Sequence, residues 1–325
     1  MNLSHKRVAD LAKGDLKHID KFIKINGGSL FQTSEWLTNI FPSIFPSKNE
    51  SLLIFDNNNI VALFPLFITN RKVLFQNIAY VSPFYSGGFL LKKDLKDKHL
   101  LEVIDYIKGI LPRNLIIKFE SRVGEEINSF NFFKRGKFQN VHQVVKINEF
   151  FLKNCEGRFR TTLKKGIKYN VNCSKDIDID RLVNLAFETR KTKMSVKIDK
   201  RKTKNMYKQL LKSKYSKLFY IIENDELLSF AIILIFGNYA YYAESATVRD
   251  KVYNGVNNRL QYEIVLYLEK IGIKIYDLGA YNIENQDEFK KRVYEFKKSM
   301  GAKMEFVVEY RWLTNDMLKI LNKFI

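Results

Sequence analysis

The strongest constraint on the fold is an internal repeat of one β-hairpin pattern. Residues 52–67 (LLIFDNNNIVALFPLF) and residues 219–236 (FYIIENDELLSFAIILIF) each read as an apolar strand, an Asn/Asp turn and a second apolar strand. Asn and Asp tolerate the positive φ angles that tight hairpin turns require, so each segment predicts a β-hairpin with its turn at the same place. The chain is therefore predicted to contain two copies of one supersecondary unit.

The pattern after each hairpin also repeats. A third strand, a loop with glycine, an amphipathic helix and a strand of parallel type follow in both halves. The third strands are residues 73–79 and 239–246, and the final strands are residues 115–119 and 273–278. This order predicts an α/β (α+β) chain of two tandem domains, each a mixed, mostly antiparallel sheet flanked by helices. We place the domains at residues 1–145 and 146–325, because residues 137–153 form a polar connection.

Composition excludes several classes of protein. No stretch approaches the ~20 apolar residues of a membrane-spanning helix, and the first residues lack the apolar core of a signal peptide, which predicts a cytoplasmic protein. The two cysteines, Cys155 and Cys173, and the four scattered histidines form neither a disulfide framework nor a zinc-binding pattern. We expect no metal.

The charge is strongly basic and unevenly spread. Fifty-five Lys and Arg residues against 35 Asp and Glu residues give a formal net charge of +20, and basic residues concentrate in residues 158–168 and 190–204. Such a balance favours a polyanionic partner, such as a nucleotide cofactor, tRNA or an anionic envelope lipid. The alternative is that these runs are only solvated surface.

The most specific local pattern lies in residues 273–304. A short apolar strand ends in Tyr276 and Asp277, Gly279 follows, and a basic helix is predicted over residues 287–299. Apolar residues of this helix recur at helical spacing, which places Lys297 beside a core position near the helix end. Polar groups at the mouth of a buried strand indicate a ligand site.

This segment resembles the second domain of the Fem-type aminoacyltransferases and of their GNAT-like acyltransferase relatives. Their recurring phrase is a strand Y-x-D-x-x-G, a spacer and F-K-x-x-x-G, which stands here as Tyr276, Asp277, Gly279 or Ala280, Phe296, Lys297 and Gly301. Four weaker matches keep the family's order: residues 29–36, 82–89, 159–171 and 187–198. The resemblance spans nearly the whole chain and implies two tandem GNAT-like domains, the C-terminal one carrying the donor site.

The implied activity is N-acyl transfer by direct attack, without a covalent enzyme intermediate. An acyl or aminoacyl group would pass from an activated donor, acyl-CoA such as acetyl-CoA, to an amine on a small molecule, a peptide or an envelope precursor. The first alternative is an aminoacyl-tRNA-dependent Fem-type peptidyltransferase, whose tRNA would suit the basic charge. The second is an inactive basic protein that binds nucleic acid or an anionic surface, and peripheral contact with an anionic membrane fits the same charge.

The resemblance and the chemistry of acyl transfer suggest the catalytic residues. Lys297 would lie near the acyl donor and stabilise the oxyanion. Tyr276 and Asp277 would orient the acceptor amine or protonate the leaving group. Glu244, a carboxylate in an aromatic strand, would remove the proton of the amine.

Binding residues follow from the same comparison. The loop of residues 248–258 corresponds to the pyrophosphate-binding loop of GNAT-type domains, with Gly255 for close backbone approach and Asn254 or Asn257 as a helix N-cap. The expected cofactor-binding residues are Lys251, Asn254, Gly255, Val256, Asn257 and Phe296. The expected substrate-binding residues are Trp36, Tyr85, Tyr281 and Arg160.

Overall fold

A computed structural model of the chain describes residues 1–12, 14–73, 76–80, 88–112, 115–122, 134–135, 140–149, 151–191, 199–248, 250–282 and 287–314. Its strands are β1 (Leu3–Arg7), β2 (Ser47–Asn49), β3 (Leu52–Asp56), β4 (Asn59–Phe64), β5 (Phe67–Val73), β6 (Gln76–Tyr80), β7 (Leu90–Leu91), β8 (Leu115–Arg122), β9 (Lys134–Arg135), β10 (Asn140–Lys146), β11 (Asn172–Cys173), β12 (Ser216–Glu223), β13 (Glu226–Phe236), β14 (Tyr239–Thr247), β15 (Ile275–Asn282) and β16 (Lys303–Leu313). Its helices are α1 (Leu16–Asn26), α2 (Phe41–Ile44), α3 (Asp97–Ile110), α4 (Phe151–Asn154), α5 (Gly157–Gly166), α6 (Ile179–Lys191), α7 (Lys200–Lys212), α8 (Val256–Lys270) and α9 (Glu288–Ser299). Among the described residues, no helix combines the length and the apolar composition that crossing a membrane requires.

The chain forms two compact units. One comprises Met1–Gln139 together with Val307–Ile325, and the other comprises Asn140–Phe306. The predicted polar connection of residues 137–153 is wrong in its central part, because residues 140–146 form strand β10 and bury Val141, Val144 and Val145. Strand β16 begins in the second unit and ends in the first. The expected domains of residues 1–145 and 146–325 would have placed the whole strand in the second domain.

The first unit contains two groups of strands. One has the order β1-β3-β4-β7, and in the other the C-terminal part of β16 is followed by β8, β6, β5 and β2. Strands β6 and β8 are parallel. Helix α3 lies between these two strands in the chain, and its Val103 and Ile107, together with Leu111 just after the helix, share a core with buried residues of β3, β4 and β8. The predicted third strand of residues 73–79 does not match one strand: Val73 ends β5, and Gln76 begins β6, which pairs antiparallel with β5.

The second unit is a sheet with the order β11-β12-β13-β14-β15-β10, in which only the β14–β15 pair is parallel among the described pairings. Helix α8 buries Leu260 and Ile264 in one core with Ala231 of β13. Tyr207 of α7 packs edge-on against Phe230, the preceding residue of β13. Because successive side chains of a strand point to opposite faces, α8 and α7 cover opposite faces of the sheet.

The two hairpins share one irregularity as well as one turn. The turns of β3–β4 (Asn57 and Asn58) and β12–β13 (Asn224 and Asp225) both have two residues at positive φ, the signature of a type I′ turn. In each hairpin the register then slips by one residue at the same distance from the turn. A turn and a bulge at matched positions confirm the predicted repeat.

Candidate active site

Strands β14 and β15 separate at the position that the sequence marked as a strand mouth. Their parallel pairing consists of Tyr239 with Ile275, Ala240 with Tyr276 and Tyr241 with Asp277. Beyond these pairs both strands continue, and the register of β14 with β13 shifts by one residue at Ala243. The bulge bends β14 locally, so an opening between the strands begins next to Tyr241 and Asp277.

Asp277 is held at this opening by three hydrogen-bond contacts. The Nδ1 atom of His142 lies 2.9 and 2.8 Å from the two carboxylate oxygens, and the backbone N–H of Gly279 donates to Oδ1 at 2.8 Å. Both side chains are buried, with 1% of His142 and 3% of Asp277 exposed. Gly279 has a φ of 87°, which glycine adopts without a Cβ penalty. The sequence therefore fixes a buried carboxylate–imidazole pair at the end of the β14–β15 pairing.

Lys297 reaches the same place from the last turn of α9. Its Nζ atom lies 3.9 Å from the position that a Cβ on Gly279 would occupy. Burial lowers the pKa of Lys297 to about 8, and attraction to Asp277 acts in the opposite direction. The predicted catalytic residues Asp277 and Lys297 are thus brought together, and His142 joins them.

Tyr276 is fully buried beside this group. Its hydroxyl donates to Oε1 of Gln261 at 3.1 Å, and its ring meets that of Tyr242 edge-on, with 6.2 Å between centroids. Burial raises the pKa of Tyr276 well above its ordinary value, and Tyr242 adds to the rise. The phenol therefore stays neutral, and the role predicted for it in orienting the amine or protonating the leaving group stays a prediction.

Glu244 lies further along β14, beyond the bulge. Its carboxylate forms an ion pair with Arg190 of α6 and accepts a hydrogen bond from Tyr207 of α7 at 3.3 Å. A carboxylate engaged in this way must give up part of these contacts to take a proton from an amine. The structure places Glu244 on the same strand as the opening, and its role as a base remains a prediction.

The start of α8 differs from the expected N-cap. Gly255, with a φ of 87°, is the N-cap residue, so the prediction of Asn254 or Asn257 is wrong. A Cβ on Gly255 would lie 2.6 Å from the carbonyl oxygen of Thr162 and would overlap Gly166. The backbone that approaches Gly255 closely is therefore that of α5, in the same unit.

The other predicted binding residues are spread over the chain. Val256 is buried in the core, and Phe296 packs against Phe159 with 6.2 Å between ring centroids. Tyr281 packs against Tyr294 at 4.6 Å. The remaining residues lie as follows: the guanidinium of Arg160 donates to the carbonyl oxygens of Cys155 and Leu152, Lys251 lies in a 3₁₀ turn before α8, Trp36 is buried in the first unit with 2% exposed, and Tyr85 lies outside the described residues.

Sequence reasoning missed His142 and Gln261. His142 interrupts the apolar strand NVHQVVK, and Gln261 follows Leu260 on the buried side of α8. A polar residue inside an apolar face is the signal that marks such positions, because its burial needs a partner.

Solved structures share this architecture over nearly their whole length. The crystal structure of FemX matches with a TM-score of 0.74 at 16% identity, covering 99% of each chain. The tandem GNAT protein from the clavulanic acid biosynthesis pathway, solved without AcCoA, gives 0.59 at 8% identity and covers 96% of this chain and 99% of that one. L-PGS from Bacillus licheniformis gives 0.57 at 14% identity, covering 94% of each chain. The sequence itself matches no protein-family model and none of the curated proteins.

These matches define the class of fold. The chain has the tandem GNAT-like fold of the Fem type, an acyltransferase-type fold, which confirms the predicted resemblance and fold class. Identities of 8 to 16% support the fold alone, so the reaction has to be argued from the residues of this chain.

Proposed function

We propose that the chain is an N-acyltransferase that acts by direct attack. The amine nitrogen of the acceptor forms a bond to the carbonyl carbon of an activated donor, the C–S or C–O bond to the carrier breaks, and an amide is released. The observation that carries this proposal is the grouping of Lys297 with the Asp277–His142 pair where β14 and β15 separate. The acyltransferase-type fold supports it.

In this proposal Lys297 stabilises the oxyanion of the tetrahedral intermediate. With a pKa of about 8, about nine-tenths of the side chain is the ammonium form at pH 7. A fixed cation in a partly buried position acts on developing charge more strongly than a solvated one. The Asp277 carboxylate attracts the ammonium group of Lys297 and so favours its charged form.

The proton balance requires one acceptor and one donor. The attacking amine must lose a proton, and the leaving thiolate or alkoxide must gain one. We assign the first step to Glu244, which has to loosen its ion pair with Arg190 when the acceptor binds. Tyr276, Asp277 and Tyr281 would orient the acceptor, and the neutral hydroxyl of Tyr276 or the protonated carboxyl of Asp277 would give the leaving group its proton.

Acyl-CoA is the first candidate donor. The tandem GNAT protein with a similar fold was solved in a form described as without AcCoA, which names AcCoA as the ligand considered for that protein. Aminoacyl-tRNA is the second, and a separate observation favours it. The backbone at Gly255, where a pyrophosphate was expected to approach, is covered by α5. In addition, α7 exposes Arg201, Lys202 and Lys208, for which no acidic partner is found in the described part of the chain. A tRNA backbone would use such a surface.

The reaction is tested with purified protein, CoA thioesters or charged tRNA, and a panel of amines, with the amide product measured by mass spectrometry. We expect Lys297→Ala to lower turnover by roughly 100-fold or more, the scale of lost oxyanion donors. Lys298→Ala is the matched control, because Lys298 is the exposed neighbour on the same helix. Equal turnover in both variants, with the fold verified, would remove Lys297 from the site.

The donor is distinguished by its salt dependence. If tRNA is the donor, its affinity should fall by roughly 0.7 to 0.9 log units per log unit of salt for each phosphate contacted. Salt-insensitive turnover with a CoA thioester and no tRNA binding would identify acyl-CoA. Binding of polyanions without turnover of any donor would favour the inactive binding protein.

A further inference from the structure

The buried imidazole of His142 contacts the proposed site through Asp277. Its Nδ1 atom lies 2.9 and 2.8 Å from the two carboxylate oxygens, and the backbone N–H of Gly279 donates to one of them, Oδ1. With 1% of its side chain exposed, His142 is covered by the protein. We therefore expect any effect of His142 on the reaction to pass through Asp277.

The geometry of this contact indicates which atom carries the proton. An ionised carboxylate only accepts hydrogen bonds, and Oδ1 of Asp277 already accepts one from Gly279. The Nδ1 atom of His142 is almost equally far from both oxygens. This fits an N–H that faces a carboxylate better than a carboxyl O–H that points from one oxygen to the ring. A donor aimed at a buried carboxylate favours its charged form.

The charge of Asp277 acts in turn on Lys297. The Nζ atom of Lys297 lies 3.9 Å from the position that a Cβ on Gly279 would occupy. Burial lowers the pKa of Lys297 to about 8, and attraction to Asp277 opposes this fall. The ammonium form of Lys297 near neutral pH therefore depends on Asp277 being ionised.

Other charged or titratable side chains along α9 have partners of their own. Within the described residues they pair as follows: Arg158 with Glu156 and Glu295, and Tyr281 with Tyr294. The neighbour of His142 on β10, Gln143, is neutral and donates to the carbonyl oxygen of Tyr294. In the part of the chain that the structure describes, Asp277 is the charged group that acts on Lys297.

Resting on the proposed acyl transfer, we propose that His142 is a positioning residue for Lys297. Its Nδ1–H holds Asp277 as a carboxylate at the opening, and this carboxylate keeps Lys297 in the ammonium form that stabilises the oxyanion. An ionised Asp277 has no proton to give, so the leaving group takes its proton from the hydroxyl of Tyr276.

The first test uses the wild-type protein and needs no donor. Labelling the four histidines with ¹⁵N shows by NMR whether Nδ1 of His142 carries a proton, and the signal missing in His142→Asn identifies the residue. We expect a protonated Nδ1 between about pH 6 and 8. An unprotonated Nδ1 in this range would place the shared proton on Asp277 and overturn the proposal.

The second test follows the titration of Lys297 by NMR of labelled lysines, with Lys297→Met identifying the signal. The wild-type midpoint should lie at about pH 8. His142→Leu removes the N–H donor and should lower this midpoint by about one pH unit, because Lys297 then loses the charge of Asp277. Asp277→Asn should lower it as far, and His142→Leu added to Asp277→Asn should change nothing further.

His142→Asn is the matched control, because an asparagine amide places an N–H close to the position of Nδ1. It should keep the midpoint of Lys297 near the wild-type value, and a fall as large as in His142→Leu would overturn the proposal. So would a midpoint that His142→Leu leaves unchanged or moves towards 10.5, the direction expected if water merely enters the site. Thermal melts establish that the variants fold. If His142→Leu does not fold, the histidine labelling decides.

Turnover separates this proposal from the proposed function. With Lys297 midpoints of about 8 and 7, the ratio of kcat in His142→Leu to that in the wild type should be about 0.5 at pH 7 and about 0.1 at pH 9. A ratio that is the same at every pH indicates a structural role and overturns the proposal. If no donor is turned over while the midpoints move as expected, the proposed function fails and the coupling of His142 to Lys297 stands. Turnover with an unmoved midpoint overturns the coupling alone.

Discussion

Replacing Lys297 with Met should make the protein more stable while it removes the proposed oxyanion cation. The pKa of Lys297 falls from 10.5 to about 8 because burial disfavours its charged form. At about 1.4 kcal/mol per pKa unit, the ammonium costs the folded state about 3 kcal/mol at pH 7. This is an upper value, because the side chain keeps some exposure to solvent. A Met of similar length packs without that cost.

The stability difference between Lys297→Met and the wild type should depend on pH in a defined direction. Below pH 8 the lysine is protonated in both the folded and the unfolded chain, so the full cost is present. Between about pH 8 and 10.5 the folded chain releases its proton while the unfolded chain keeps it, and the cost diminishes. The advantage of Lys297→Met over the wild type should therefore be largest at pH 7 and should shrink towards pH 10.

Urea denaturation at several pH values measures this difference. Both tryptophans, Trp36 and Trp312, belong to the first unit, so far-UV circular dichroism is the better signal for the second. Lys298→Met, at an exposed position, should change stability by less than about 0.5 kcal/mol. The reasoning fails if Lys297→Met is no more stable than the wild type at pH 7, or if its advantage does not vary with pH.

Three further substitutions, one of them with a control in the first unit, test other parts of the second unit. His142→Leu leaves the buried Asp277 carboxylate with one donor fewer and should lower the free energy of unfolding by about 1.5–3 kcal/mol in urea denaturation; an unchanged midpoint would contradict this. Gly166→Ala would overlap the facing helix and should cost about 2 kcal/mol or more, whereas Gly109→Ala, with open space around it, should be neutral or stabilising. Glu244→Gln should lower kcat/KM most at low pH if Glu244 is the base; an equal fall at every pH would assign it a structural role.

The sequence was sufficient to predict the repeated hairpin and the strand mouth. Both are local features. Asn57 and Asn224 start turns that only a few residue types adopt, and a short, mostly apolar stretch leads to Asp277, although β15 itself continues to Asn282. Helix α9 was predicted over residues 287–299 and spans Glu288–Ser299, because its apolar residues recur at helical spacing.

Features that depend on distant residues could not be predicted in the same way. His142 and Asp277 are 135 positions apart, and nothing near either residue indicates the other. Gly255 was predicted to allow a ligand to approach its backbone closely. A close approach does occur there, but it is made by the protein itself. The approaching backbone is that of Gly166, 89 positions earlier, which only the packing of α5 on α8 reveals.

The passage of β16 from one unit to the other has a consequence for the order in which the chain folds during synthesis. All residues of the second unit, through Phe306, leave the ribosome before the segment Val307–Leu313 that pairs with β8. Until then β8 lacks this neighbour, and its exposed edge can pair with another chain. The N-terminal unit is thus the last to be completed, and a fragment ending at residue 145 would keep that edge open permanently.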